Sequence, residues 1–254
     1  MKVSRVIVAG LAYNCSEVIL QNIRIVKDFV AQFDEAAIIV VENGSNDGTK
    51  EILKSRDDID YLEVDDIIDA NSYADKSPFG KDRISKLALL RNQYLEKIDE
   101  YNWQEAYVII IDWDLKSFTK NTLNILYSKS IRKYGYVISA NGYSFYFGFL
   151  KLYHDTFAVK SKFYYSHSLL GLYFLKLTVS GLLLGFQELR VRSAFGGIAV
   201  YQPNQLNGAK YKALPHNKGL LSFQCEHVAL HEDIRKNEQM KGVLICGSAK
   251  LRYQ

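Results

Sequence analysis

One uninterrupted apolar run near the middle of the chain, residues 107–111 (Tyr-Val-Ile-Ile-Ile), constrains the fold more than any other stretch. Three consecutive isoleucines suit a β-strand covered on both faces, because parallel strands between helix layers read as continuous apolar runs. The run stops at Asp112 and Asp114. In open α/β sheets, ligands bind at the carboxyl ends of such strands. We therefore expect a central strand that carries two carboxylates to the functional edge of a sheet.

Asp112 and Asp114 offer the hard oxygen ligands that Mg²⁺ and Mn²⁺ prefer. Side chains at positions i and i+2 of an extended chain point to the same side, so both carboxylates can face one cation. Asp-x-Asp is nevertheless a common tripeptide, and a polar strand end that enters a turn explains it equally well. The surrounding sequence has to separate these two explanations.

The chain before this strand alternates between strand and helix patterns. In chain order, we predict a strand over 5–9, a helix over 16–33, a strand over 37–41, a short helix over 50–55, a strand over 61–64 and a basic helix over 81–98. A β-α-β-α order favours right-handed connections and a mostly parallel central sheet flanked by helices. The predicted fold class is therefore α/β.

Composition excludes several classes of protein. With 254 residues, 48% of them apolar, and no recognisable linker, the chain suits one ordered domain. A net charge of +4 is far below that of typical nucleic-acid binders, so we expect no nucleic-acid partner. Three cysteines, Cys15, Cys225 and Cys246, have no metal-binding spacing and suggest reduced thiols in a cytoplasmic protein. The first apolar run is too short for a signal peptide.

Four features resemble GT-A glycosyltransferases and occur in the order that this family uses. They are the first strand with Gly10, the polar loop 42–49 with Glu42 and Asn43, the helix with Arg83 and Arg91, and the tripeptide Asp112-Trp113-Asp114. The resemblance implies a Rossmann-like sheet that binds a nucleotide diphosphate sugar together with Mn²⁺ or Mg²⁺. It is the conjunction of the four features, rather than any one of them, that carries the likeness.

The resemblance also implies a role for each residue. Gly10, Glu42 and Asn43 would contact the nucleoside. Arg83 and Arg91 would bind the nucleotide or its phosphates, and Asp112 and Asp114 the ribose and the metal. Cation and arginine together would stabilise the charge on the departing nucleotide. For the arginines, a solvated charge or a structural partner of a helix-end carboxylate is the alternative, and for the loop it is a plain turn.

Three stretches of the second half resemble the narrower family of fungal capsule-associated α-mannosyltransferases and their bacterial and viral relatives. These stretches are residues 153–158, 192–201 and 225–228. The likeness implies that residues 1–125 bind the nucleotide sugar and metal, and that 126–254 build the donor-sugar and acceptor sites. Gly196 and Gly197 would let the backbone approach the sugar; a bulge or turn is the alternative.

Candidate catalytic groups concentrate in residues 225–233. GT-A enzymes commonly add a late histidine to the metal site, and His227 is our first choice, with His231 the second. Glu226 is a candidate base toward the acceptor hydroxyl, or a stabiliser of an oxocarbenium-like sugar, with Asp155 as a further candidate. A buried Glu226 that only orients its loop remains an equal alternative.

The apolar segment 163–186 approaches the length of a bilayer span over its last nineteen residues. Lys176 near its middle and three glycines oppose a span, so we expect a buried helix pair. The alternative is an apolar surface that makes peripheral contact with a membrane or a lipid-linked acceptor. The aromatic run over 143–153 is expected to pack within the sheet, or else to line a sugar site.

The sequence as a whole predicts a metal-dependent glycosyltransferase that moves a sugar to a glycan or glycolipid hydroxyl. A non-catalytic nucleotide- or glycan-binding protein on the same fold is one alternative. A sugar nucleotidyltransferase is another, but it normally carries a glycine-rich, basic phosphate loop after the first strand, which residues 10–15 lack.

Overall fold

The computed structural model describes residues 4–64, 79–161, 168–215 and 223–253. Within these ranges, nine strands form one sheet and six α-helices flank it. The strands are β1 (Arg5–Ala12), β2 (Glu35–Glu42), β3 (Asp60–Glu63), β4 (Tyr107–Asp112), β5 (Tyr136–Tyr146), β6 (Leu150–Tyr153), β7 (Glu188–Val191), β8 (Ile198–Tyr201) and β9 (Gly242–Arg252). The helices are α1 (Ser16–Val30), α2 (Thr49–Lys54), α3 (Lys81–Glu100), α4 (Lys120–Arg132), α5 (Leu169–Gly185) and α6 (Glu226–Lys236).

The strand order is β3-β2-β1-β4-β8-β5-β9-β7, with β6 paired to β5. Strands β3, β2, β1 and β4 are mutually parallel, whereas β8, β6 and β7 run antiparallel to their neighbours. The predicted α/β class is confirmed, but only the first half of the sheet is parallel throughout. One reason is the tight hairpin between β5 and β6, where Phe147 and Gly148 both have positive φ.

The sheet separates two hydrophobic cores. Helices α1, α2 and α4 cover one face, and α3, α5 and α6 cover the other. Alternate residues of β4 enter the two cores: Ile109 and Ile111 lie in one, and Val108 and Ile110 in the other. The central strand is therefore buried on both faces, as its isoleucine run predicts.

Some strands and helices begin or end at residues other than those predicted, because packing determines where they stop. Strand β1 continues past Gly10 to Ala12, because Gly10 is a packing position and not a strand end. A Cβ at Gly10 would lie 1.7 Å from the carbonyl oxygen of Ile111. The predicted helix over 16–33 ends at Val30, and that over 81–98 continues to Glu100. All three cysteines are buried thiols outside any disulfide.

The prediction of a buried helix pair over 163–186 is wrong for the described residues. Positions 169–185 form the single helix α5, and residues 163–167 lie outside the described ranges. Only Leu172, Val179 and Leu183 of this helix are buried. Nowhere in the described part of the chain is a helix both long and apolar enough to cross a membrane.

Candidate active site

A cleft of about 460 Å³ lies at the carboxyl ends of β1, β2 and β4, between α3 and the start of α6. Eight predicted site residues line it: Asn43, Arg83, Arg91, Asp112, Asp114, Asp155, Glu226 and His227. Four others are not among its lining residues: Gly10, Glu42, Gly196 and Gly197. The cleft lies where parallel sheets bind ligands.

Asp112 and Asp114 are held at the cleft by the residue between them. Trp113 is fully buried, and its backbone N–H donates to the Leu11 carbonyl at 3.0 Å. The Asn22 side chain donates to the carbonyls of Trp113 and Leu115, at 2.9 Å each. With the tryptophan anchored in the core, both carboxylates are left at the cleft. The sequence analysis did not identify Asn22. Its position among the buried apolar residues of α1 would have indicated a side chain with a structural hydrogen bond.

The Asp112 carboxylate is bound by protein groups on both oxygens. Arg91 Nη2 lies 3.2 Å from Oδ1, and the Tyr253 hydroxyl donates to Oδ2 at 3.2 Å. The backbone N–H of Asp112 donates to the Gly197 carbonyl at 3.0 Å. Asp112 is therefore fixed before any ligand enters.

Both aspartates line the cleft, but Asp114 is exposed to solvent and Asp112 is only partly exposed. Desolvation in the cleft and the neighbouring Asp112 carboxylate raise the pKa of Asp114 to about 6. Two carboxylates in one concave site repel each other, and a bound cation would relieve that repulsion. Asp114 is thus the more available oxygen ligand of the two.

Arg91 is buried and bridges two elements. Its Nη2 pairs with Asp112, and its Nε lies 3.1 Å from Oε1 of Glu226, the first residue of α6. The guanidinium also lies over the rings of Phe195 (5.3 Å) and Tyr211 (5.7 Å). This geometry matches the alternative in which Arg91 is the structural partner of a helix-end carboxylate.

Arg83 and Lys86 line the same cleft from α3. The Arg83 side chain is exposed, and that of Lys86 is half-buried. Both are therefore better placed than Arg91 to meet the phosphates of an incoming ligand. Sequence reasoning missed Lys86, although it stands one helical turn after Arg83.

Asp155 and Glu226 are in different electrostatic surroundings. Glu226 is 3% exposed and paired with the Arg91 guanidinium. Burial raises the pKa of Asp155 to about 7, although one of its oxygens accepts the Gly196 N–H at 3.1 Å. A carboxyl group with a pKa near neutrality can exchange a proton at physiological pH.

Gly196 and Gly197 support these carboxylates from behind the cleft. Both have positive φ, +65° and +86°. A Cβ at Gly196 would lie 2.2 Å from the Ala140 carbonyl oxygen, and one at Gly197 2.8 Å from the Tyr253 hydroxyl. The Gly196 amide binds Asp155, and the Gly197 carbonyl binds the amide of Asp112. Here, close packing accounts for the glycine pair.

His227 lies at the cleft but does not join the two aspartates in one ligand set. Its ring stacks on Phe195, with centroids 4.0 Å apart. Burial and the Arg91 charge lower the pKa of His227 well below its usual value, so the ring is neutral. Neither ring nitrogen has a hydrogen-bond partner in the described ranges. These ranges also contain no group of three or more His, Cys, Asp or Glu side chains that could hold a metal ion.

His231 is a core histidine. One of its ring nitrogens is hydrogen-bonded to the Ser193 hydroxyl at 2.8 Å, and the other to the Tyr201 hydroxyl at 2.9 Å. The ring is fully buried, and burial lowers its pKa to about 3. Our second choice for a metal ligand is therefore wrong, because two buried hydroxyl groups already engage both nitrogens.

At the predicted nucleoside end, only Asn43 reaches the cleft. Its Nδ2 donates to the Val64 carbonyl, while its buried Oδ1 lacks a hydrogen-bond partner among the described residues. Glu42 is fully buried and accepts the Ser45 N–H and, at 3.4 Å, the Tyr61 hydroxyl. Glu42 therefore shapes its own loop, and of these two residues only Asn43 lines the cleft.

Tyr253 lines the cleft and escaped sequence reasoning, whereas His154 and Phe195 lie in the stretches 153–158 and 192–201 but were given no role. Tyr253 stacks on His154 with ring centroids 4.1 Å apart, besides its bond to Asp112. No local motif marks Tyr253, because it follows β9 and reaches the site only through the sheet order.

The chain matches the family described as Cryptococcal mannosyltransferase 1 over residues 5–233. No curated protein sequence matches it. Among solved structures, PcManGT from Pyrobaculum calidifontis, described as a mannosyltransferase in complex with GDP-Man and Mn²⁺, is similar with a TM-score of 0.51 and 15% identity. The match covers 99% of this chain and 57% of that one.

S. aureus TarS is similar with a TM-score of 0.50 and 13% identity, over 98% of this chain and 36% of TarS. The chain thus spans less than two thirds of the length of these structures. At such identities the likeness shows the fold alone, which is the GT-A fold. Because the family match extends over most of the sequence, the chain belongs to the cryptococcal mannosyltransferase 1 family, a family of glycosyltransferases.

Proposed function

We propose that this protein is a metal-dependent glycosyltransferase that moves a sugar from a nucleoside diphosphate sugar to a hydroxyl group of a glycan or glycolipid. The observation that carries the proposal is the pair Asp112 and Asp114 at the cleft, where desolvation and like charge raise the pKa of Asp114 to about 6. Family membership supports it, as does the fold shared with a mannosyltransferase solved with GDP-Man and Mn²⁺.

The donor set suits Mn²⁺ or Mg²⁺ held by Asp114 with Asp112, and completed by oxygens of the ligand and water. Cations of this kind are usually bound by one or two carboxylates together with substrate phosphates, not by an all-protein cage. When bound, the cation would supply positive charge to the departing diphosphate. We give His227 no ligand role in this arrangement, because the described residues bring no third ligand to the pair.

The remaining cleft residues divide between the two ends of the donor. Arg83 and Lys86 would bind phosphate oxygens through their positive charges. Asn43, which lines the cleft at the carboxyl end of β2, would lie beside the base. Arg91 would act indirectly, by holding Asp112 in place and by opposing the rise in the Asp112 pKa that burial causes.

In the transfer itself, the bond between the anomeric carbon and the phosphate oxygen breaks, and a bond to the acceptor oxygen forms. The acceptor hydroxyl must lose a proton. Asp155 is the better candidate to receive it, because its pKa of about 7 allows proton uptake near neutrality. Glu226, the first choice from sequence, is bound to Arg91 and is better suited to positioning that arginine.

Two variants and one assay test the proposal. Asp114→Asn should abolish Mn²⁺-dependent release of nucleoside diphosphate from GDP-mannose or UDP-N-acetylglucosamine, and the shift in melting temperature that donor and Mn²⁺ produce together. Asp28→Asn, on the exposed face of α1, is the matched control and should change neither. Full Mn²⁺-dependent turnover by Asp114→Asn would overturn the assignment.

The same assay separates the alternatives. A donor-induced shift without any turnover would indicate a non-catalytic binding protein. A sugar nucleotidyltransferase would release pyrophosphate from a nucleoside triphosphate. It is disfavoured because Tyr13, Asn14 and Cys15, between β1 and α1, include neither glycine nor a basic residue.

A further inference from the structure

Among the described residues, the exposed apolar side chains are concentrated in one part of the chain, which forms the β5–β6 hairpin and helix α5. Of sixteen exposed large hydrophobic residues in the described ranges, eleven lie between positions 145 and 186. We call these eleven the apolar face: Phe145, Phe147, Phe149, Leu150, Leu169, Leu170, Tyr173, Phe174, Leu177, Leu184 and Phe186. Patches of this kind on soluble proteins mark interaction surfaces.

Helix α5 presents its exposed side chains in one stripe. Leu170, Phe174, Leu177 and Leu184 recur at intervals of three, four and seven residues, which places them on one side of a helix. The buried residues lie on the opposite side. The side of α5 that faces away from the protein is thus apolar, whereas a water-facing helix surface is normally polar.

The hairpin of β5 and β6 continues this surface. Lys176 of α5 donates a hydrogen bond to the Tyr146 hydroxyl, and its Nζ lies 4.3 Å from the centroid of that ring. The Ser180 hydroxyl accepts the Tyr153 N–H at 2.7 Å. Helix and hairpin are therefore joined, and Phe147 at the turn between β5 and β6 is 84% exposed.

Positive charge borders the apolar face. Lys151 Nζ lies 3.4 Å from the centroid of the Tyr143 ring, and Arg252 lies over Phe145 at 5.2 Å. A pocket of about 390 Å³ beside the face is lined by Lys151, Lys250 and Leu184. No Asp or Glu is among its lining residues. The two lysines therefore share a pocket that suits an anion.

Negative charge is nearly absent from this part of the chain. Residues 136–187 contain a single acidic residue, Asp155, which lines the cleft instead. The next acidic residue, Glu188, is paired with Lys129 and Lys133 at 3.0 Å each. A surface that combines exposed aromatic and leucine side chains with lysines, and that lacks carboxylates, has the composition of an interfacial membrane-binding surface.

We propose that the apolar face binds the surface of a lipid bilayer that contains anionic lipid. The phenylalanines and leucines enter the boundary between headgroups and acyl chains, and Lys151 and Lys250 bind an anionic headgroup. Charge complementarity favours a bilayer over a second copy of this chain. A symmetric dimer would place one basic surface against another, whereas anionic headgroups neutralise both lysines.

The test is co-sedimentation of the full chain with vesicles. Binding should be strong to an equimolar mixture of phosphatidylcholine and phosphatidylglycerol, and weak to phosphatidylcholine alone. The double variant Phe147→Asn and Phe149→Ser should lower the partition coefficient by about tenfold or more, since it removes two exposed aromatic anchors. Asparagine suits position 147, where φ is +54°. The control replaces exposed apolar residues elsewhere, Ile131→Ser with Tyr134→Ser, and should bind like the parent.

A second variant tests the contribution of positive charge. Lys151→Gln with Lys250→Gln should reduce binding to anionic vesicles by about thirtyfold. Lys27→Gln with Lys120→Gln is its control, because both lysines are exposed and belong to α1 and α4, which cover the face of the sheet opposite α5. Absence of binding to anionic vesicles would overturn the proposal, as would equal binding to both vesicle types. A dimer in light scattering that the phenylalanine variant dissociates would instead make this face a subunit interface. Vesicle binding needs no donor sugar, so these outcomes are independent of the proposed enzymatic activity.

Discussion

The Arg91 guanidinium and the Asp112 carboxylate form a partly buried ion pair at the cleft, with 3.2 Å between Nη2 and Oδ1. Through Nε, the same guanidinium binds Glu226. Asp112 ends the central strand, whereas Glu226 begins a helix more than a hundred residues later. One side chain thus holds together the two parts of the chain that form the cleft.

Replacement of Arg91 by methionine should lower the free energy of unfolding by about 3–5 kcal/mol, because it leaves the buried Glu226 carboxylate and the partly buried Asp112 carboxylate without a cation. Urea denaturation followed by circular dichroism measures the change. Arg24→Met, on the exposed side of α1, should cost less than about 0.5 kcal/mol. Equal costs for the two variants would show that the buried pair does not stabilise the fold.

Asn22→Ala should destabilise the loop that carries the two aspartates. The variant removes both donors to the carbonyls of Trp113 and Leu115, and each buried carbonyl left without a partner costs about 1–3 kcal/mol. Asn121→Ala, an exposed position on α4, is the control. Amide hydrogen exchange should be faster at residues 112–116 in Asn22→Ala alone. Unchanged exchange there would contradict the anchoring role.

A comparison of Gly44 with Gly196, which have nearly equal φ, distinguishes the cost of backbone strain from the cost of a steric clash. Gly44 (φ +74°) has no atom within 4 Å of an added Cβ, whereas at Gly196 (φ +65°) the Ala140 carbonyl oxygen is 2.2 Å away. Gly44→Ala should cost about 1–2 kcal/mol, which is the left-handed penalty alone. Gly196→Ala should cost substantially more, because the backbone itself must move. Equal melting temperatures for the two variants would rule out close packing as the reason for Gly196.

The first half of the fold could be predicted from local patterns because its elements follow simple periodicities. The isoleucine run and the β-α-β-α order gave the central strand and its parallel neighbours. In the second half, the antiparallel pairing of β6 with β5 depends on a hairpin turn with positive φ at Phe147, a residue that seldom adopts it. The hydrophobic periodicity of residues 136–153 does not predict that turn.

The site was only partly predictable, for a related reason. Asp112 and Asp114 carry their own signal, since they interrupt an apolar strand. The partners of an ionised side chain depend on which distant elements meet, so the pairing of Arg91 with Glu226 and the arrival of Tyr253 required the fold. Likewise, a helical pattern in α5 cannot show which side of the helix remains uncovered.

The raised pKa of Asp155 should make the free energy of unfolding depend on pH. Its pKa is about 7 in the folded protein, against a usual value of 3.8. Between these values the folded state keeps the proton that the unfolded state releases, so this group makes stability fall as pH rises from about 4 to about 7. The slope contributed by one such group is at most about 1.4 kcal/mol per pH unit.

Asp155→Asn should remove that slope while its Oδ1 still accepts the Gly196 N–H. Relative to the parent, the variant should therefore gain stability as pH rises from 5 to 8 when unfolding is measured in EDTA, which keeps metal from shifting the titration. Asp28→Asn is the control, since that aspartate is exposed.

Transfer by the parent should also increase as pH rises through about 7, as Asp155 becomes a base, and Asp155→Asn should lose this increase. Parallel stability curves for parent and variant would show that Asp155 is ionised throughout, and would return Glu226 to first place as the proton acceptor.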